Sequence, residues 1–232
     1  MEPAQGRGHL ETLRQVPSTY AKYALLLPLI LANLVVFGFE DQYLLMKRVS
    51  RWLAALTLIL ALYASRVGRV YSLVAALLTL FTVAAWGYAQ SHHGGWVEIV
   101  IVVTFGALMV MAPAAILRRV RREFMEGGVD SEVILGVLCT YLYLGNWYAF
   151  LYRSLAVLSD KPFFAQPGAE DALNYLYFSF VTLATVGYGD LSPAYGPGRM
   201  LAATEGIVGQ LYLVSVVALV VSQYRGRREP RP

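Results

Sequence analysis

Thr185-Val186-Gly187-Tyr188-Gly189-Asp190 is the stretch on which the reading of this chain turns. It joins a short apolar segment, 172–184, to a long one, 199–224. Successive backbone carbonyls share one direction only if alternate residues take left-handed backbone angles, which glycine adopts without steric cost. Gly187 and Gly189 have that spacing. A row of carbonyls aimed one way, extended at its inner end by the Thr185 hydroxyl, is part of an oxygen cage that can replace the water around a bare cation. One loop cannot surround an ion, so a chain with one copy must assemble with others.

The surroundings are apolar. Hydrophobic residues make up 57% of the chain and charged residues 15%, with a mean hydropathy of +0.53. A soluble domain carries about 25% charge. Several runs approach the ~20 residues a helix needs to cross the hydrocarbon core. The net charge of +4 comes from clusters beside those runs, which marks membrane orientation and not nucleic-acid binding. Cys139 is the single cysteine, so an intrachain disulfide is excluded, and no metal-ligand spacing is present. No cofactor or structural metal is expected. The polar N-terminus does not read as a cleaved signal peptide.

Residues 1–20 are read as a cytoplasmic tail. Four spans follow within 21–117: 23–39 with Pro28 and Asn33 inside it, 52–65, 70–88, and 96–117 interrupted by Pro113. The second, at 1.5 Å per residue, covers only about 21 Å. It is either a short span or a re-entrant segment. Its uniform apolarity lacks the charged face of an interfacial helix, which favours a span. A basic linker occupies 118–131, a span about 133–158, a polar loop 159–171, and a basic tail 225–232. The arginines at 118, 119, 121 and 122, and those after the last span, place both ends of the final unit in the cytoplasm. The charge rule does not choose between three and four earlier spans.

Span, polar loop, short apolar helix, TVGYGD and span together resemble the potassium-channel superfamily over 133–224. A Gly-Tyr-Gly triplet alone would be a weak signal, but here it sits between a short helix and a span. The resemblance implies an all-α membrane protein with six transmembrane helices. These form a four-helix bundle over 21–117 and a pore domain over 132–224, with pore helix 172–184, filter 185–190 and inner helix 199–224. It implies a homotetramer that meets lipid and conducts K+ in the cell membrane, with both termini cytoplasmic and no soluble ligand domain. Thr185, Val186, Gly187 and Tyr188 would coordinate K+. Gly189, Asp190, Tyr177, Phe178, Val181 and Ala184 would support the filter, and Gly209, Gly206 and Glu205 are gating candidates.

Three positions depart from the family pattern. Ala184 stands where a second threonine is frequent. Phe178 stands where a tryptophan is frequent and cannot donate to the filter tyrosine, while Tyr177 retains a polar tip within reach of Asp190. Glu205 lies in the last span, where an ionised carboxylate costs roughly 2.5–3.5 kcal/mol at mid-membrane. It should face the pore helix or carry a proton, with Ser179 or Thr182 as partner, unless it snorkels to the outer surface. Arginines at every third position of the fourth span, the chemistry of voltage sensing, are missing, so steep voltage gating is not expected. His92 and His93 read as a solvated turn, with pH sensing or metal binding as the alternative. The competing functions are a non-selective cation channel and an ion-coupled transporter subunit. The latter repeats the span-loop-span unit within one chain, and no second glycine filter occurs here. A membrane enzyme would need clustered catalytic groups that Glu205 lacks around it.

Overall fold

Backbone groups in an apolar medium must be satisfied within their own segment, and each long apolar run of this chain is an α-helix. The computed structural model describes residues 20–39, 43–65, 68–89, 95–127, 131–159 and 161–226. Among them are seven helices: α1 (Tyr20–Phe37), α2 (Leu44–Ala64), α3 (Arg69–Ala89), α4 (Gly95–Gly127), α5 (Ser131–Ser159), α6 (Ala172–Leu183) and α7 (Gly196–Gly226). The tail at 1–19, the polar break at 40–42, His92, His93 and the residues after Gly226 lie outside the described residues.

Two helices run on through basic residues beyond the expected spans, for one reason. α2 starts at Leu44, so the basic patch of Lys47, Arg48 and Arg51 opens the helix; at 21 residues it is about 32 Å long. α4 runs through Pro113 and the whole basic run to Gly127, 33 residues in all, so most of the expected linker is helix. Charge marks where a helix leaves lipid, but Lys and Arg are good helix formers and do not end it. α7 begins at Gly196, ahead of the expected start, with Pro197 in the first turn where its missing N–H costs nothing.

Among the described residues two stretches, Val103–Arg122 and Val133–Ser159, are long and apolar enough to cross a membrane by length and composition. Tyr23–Phe37, Leu73–Thr82 and Ala172–Leu183 are shorter apolar stretches. α1 packs on α2 and α5, and α4 packs on α2, α3 and α5. Leu26, Leu58, Leu108, Ile116 and Val137 are buried where these helices meet. α3 turns Val70, Leu73, Leu77 and Leu80 outward, each more than 60% exposed. Apolar side chains on both the inside and the outside of a bundle suit lipid and not water. The chain is a membrane protein.

Arg119 is 7% exposed, while Arg118, Arg121 and Arg122 are exposed. Its guanidinium lies 5.3 Å from the Tyr23 ring centroid and donates to the carbonyl of Ala64, the last residue of α2. A cation at a helix C-terminus meets an unpaired carbonyl and the negative end of the helix dipole. Arg119→Met keeps the aliphatic stem and removes the charge. It is expected to cost about 1–3 kcal/mol, read as a lowered thermal midpoint in detergent. An unchanged midpoint would show that the contact does not hold α1, α2 and α4 together.

Candidate functional site

The site is the 185–190 loop and the three helices around it. α6 is capped at its start by Asp171, whose side chain accepts from the Asn174 N–H at 2.6 Å, and it ends after 12 residues. It is wedged between α5 and α7. On its rear face Tyr152, Phe163, Phe164, Tyr175 and Phe178 form a buried aromatic cluster. Tyr152 lies 4.8 Å from Phe163 and 5.1 Å from Phe178, centroid to centroid. Phe178 therefore braces α6 against α5 from behind. Neighbouring helical residues point about 100° apart, and Tyr177 is the one that faces forward.

Tyr177 meets the loop twice. Its hydroxyl donates to Asp190 Oδ2 at 2.8 Å, and its ring stacks on Tyr188 with centroids 6.5 Å apart and planes 4° apart. The loop's own N–H groups turn back into α6. Thr185 N donates to Thr182 O at 2.9 Å, and Val186 N and Gly187 N donate to Val181 O at 2.9 and 3.4 Å. Val181 acts here through its carbonyl. Carbonyls left over at a helix C-terminus thus hold the first three loop amides.

The backbone alternates. Thr185, Gly187 and Gly189 have φ of 56°, 57° and 80°. Among the described residues Thr185 is the only non-glycine with positive φ. That conformation is rare for a β-branched side chain and costs on the order of 1–3 kcal/mol. All six residues of the loop are exposed in the single chain, Val186 at 52% and Tyr188 at 70%. Beyond the loop, Ala165 N donates to Ser192 O and Ala194 N to Phe163 O, both at 2.8 Å, which ties the preceding polar loop to the following turn. Gln166 adds a side-chain clasp: its Oε1 accepts from Ser192 N at 3.0 Å.

Glu205 is fully buried, so the snorkelling alternative does not hold. Ser179, one of the two partners expected, lies 2.5 Å from Glu205 Oε1, and the Tyr152 hydroxyl donates to Oε2. Ser179 Oγ is also 2.7 Å from Gly145 O, so one carboxyl group links α5, α6 and α7. Ser179 has one proton for two acceptors. Glutamine at 205 satisfies the same contacts, because its amide N–H can donate to Ser179 and its oxygen can accept from Tyr152. Glu205→Gln is therefore expected to lie within about 1 kcal/mol of the parent. Glu205→Ala, which leaves a cavity and two stranded hydroxyls, is expected to lose roughly 2–5 kcal/mol. Thermal unfolding in detergent decides, and equal losses in the two variants would mean that charge, not hydrogen bonding, is what the site needs.

Gly209 lies against the end of α6: a Cβ placed there would overlap the Leu183 carbonyl oxygen. That carbonyl also accepts from the Tyr141 hydroxyl at 3.2 Å. Gly206, one turn earlier, has open space around it. Next to Gly209, Gln210 Nε2 donates to Thr185 Oγ1 at 3.0 Å. Tyr141, Tyr152 and Gln210 were not singled out by the sequence reading. Each is a polar tip within an apolar helix, which is the signal that marks them.

The family model described as ion channel matches residues 136–225. The chain is 29% identical over 86 residues to the human potassium voltage-gated channel subfamily A member 6, covering 35% of this chain and 16% of that protein. It is 33% identical over 93 residues to protein LctB of Bacillus caldotenax, covering 38% of this chain and 69% of that protein. This chain thus spans a small part of the human relative's length and about two thirds of the bacterial one's. No solved structure matches it.

Proposed function

This chain belongs to the ion channel family, and from that premise we propose that it is a potassium-selective channel assembled from four copies. The observation that carries the proposal is the alternation of left-handed angles at Thr185, Gly187 and Gly189. With the first three amides tied back to α6, that alternation turns successive carbonyls toward one side of the loop. Four loops around an axis would then stack rings of oxygens at Thr185, Val186, Gly187 and Tyr188, each replacing part of a potassium ion's hydration shell. Tyr177, stacked on Tyr188 and bonded to Asp190, braces the outer end. The C-terminus of α6 lies at the inner end, where its partial negative charge favours a cation.

The four helices α1–α4 form a lipid-facing collar in this reading, giving six spans with α5 and α7, and the basic flanks put both chain ends in the cytoplasm. The bond from Arg119 to the α2 terminus supports a structural charge there, and in this reading gating is not steeply voltage-dependent. The stripe Met200, Ile207, Leu211 and Val214, each at least 60% exposed on α7, is the surface that neighbouring copies would cover. The reaction is passive conduction and no bond is made or broken.

The test is the purified full chain in liposomes and planar bilayers. Potassium-loaded vesicles should lose K+ on demand, and reversal potentials in mixed salts should follow K+ over Na+. Equal permeability to both ions would leave a non-selective cation channel, and a silent protein would end the channel proposal.

A further inference from the structure

The start of the 185–190 loop holds a side-chain contact that the channel reading leaves without a role. Gln210 Nε2 donates to Thr185 Oγ1 at 3.0 Å. The contact depends on close helix packing. Gly209 has no side chain, so α7 passes against the Leu183 carbonyl, and the next residue reaches across the end of α6 to the loop. Ala184 supplies no hydroxyl here, and beside it the Gln210 amide meets the Thr185 hydroxyl. Gln210 and Thr185 are both exposed in the single chain, on the side where the loop's oxygens would meet an ion.

A threonine hydroxyl has one proton and two lone pairs. A free hydroxyl rotates, and for part of the time it would present its proton to an approaching cation. Accepting from Gln210 pins one lone pair and leaves the proton and the other lone pair two positions to share, so the contact biases which of them faces the ion. We infer that Gln210 is a positioning residue that orients the Thr185 hydroxyl, and so sets how tightly the innermost cation site binds. The inference rests on the potassium-channel reading. Four amides around the axis would also line the mouth of that site with dipoles able to hold a partly hydrated cation.

The effect grows with the charge of the bound ion, so Ba2+, close to K+ in size with twice its charge, is the probe. The full chain is reconstituted in planar bilayers and Ba2+ is added from the side on which α7 ends. Gln210→Leu and Gln210→Ala are compared with the parent after size exclusion has confirmed that each assembles as the parent does. The half-blocking Ba2+ concentration is expected to rise roughly three- to tenfold in both variants, the range of one net hydrogen bond. In a Thr185→Cys background, where the hydroxyl acceptor is gone, Gln210→Leu is expected to add nothing, which separates an action through Thr185 from general loosening of α7. A conducting parent whose block is unchanged by either Gln210 substitution overturns the inference alone. An equal rise in the Thr185→Cys background overturns it as well, since Gln210 would then act without the hydroxyl. A silent parent removes the channel reading itself, and this inference goes with it.

Discussion

Gly187→Ala is expected to abolish potassium flux in liposomes while leaving the helical fold in place. Gly187 has a φ of 57°, and a Cβ placed on it would meet nothing within 4 Å in its own chain. The substitution therefore costs no clash, only the strain of holding an L-residue left-handed, about 1–2 kcal/mol. A bundle of this size carries such a cost without unfolding. The cheaper response is for the peptide to relax to negative φ, which swings a carbonyl off the common direction. In a fourfold assembly that removes four oxygens from one ring. At about 1.5 kcal/mol for each contact to a charge, the loss corresponds to roughly four orders of magnitude in rate. Gly196→Ala is the matched control, since it too has open space but no positive φ, and it should conduct normally. Potassium flux through the Gly187→Ala protein at parental levels would falsify the carbonyl-ring proposal at its centre.

The all-helical architecture was legible because long apolar runs broken by Gly, Pro and charge leave the backbone few other options. The special loop was legible because a pair of glycines at alternate spacing has a conformational meaning of its own. What escaped was set by tertiary contact. The helix extents of α2 and α4 were not legible from the apolar runs, because the basic residues that bound those runs lie within the helices. Arg119 was read with its neighbours as one basic run, yet one helical position apart decides between solvent and the end of α2. The contact of Tyr177 with Asp190 was legible from its polar tip, whereas the aromatic cluster that holds Phe178 behind α6 was not. Glu205 was recognisable as an expensive group that needed a partner. The hydroxyl of Tyr152, on another helix, was visible only once α5 and α7 were packed.

Gly209→Ala is expected to be damaging through contact and not through flexibility. The sequence resemblance makes Gly209 a hinge candidate, and a hinge glycine has a simple signature. Alanine at an unstrained helical position should stabilise the helix by roughly 0.5–1 kcal/mol and change only how readily it bends. The surroundings of Gly209 dictate otherwise. The atom a new Cβ would strike is the Leu183 carbonyl oxygen, a backbone atom that cannot rotate away, with Leu183 Cδ1 a further 3.0 Å neighbour. Leu183 is fully buried, and its carbonyl is engaged by the Tyr141 hydroxyl, so α6 cannot yield locally. α7 must move outward instead, which pulls Gln210 from Thr185 and loosens the packing of α7 on α6. Overpacking of this kind costs about 1–3 kcal/mol. Gly206 provides the comparison within the same helix, because a Cβ there meets nothing within 4 Å. Thermal unfolding in detergent should therefore show Gly206→Ala at or slightly above the parent and Gly209→Ala several degrees below it, with potassium flux reduced in the second alone. If the two variants are equally stable and differ only in channel opening, Gly209 is a hinge and the contact with Leu183 is incidental.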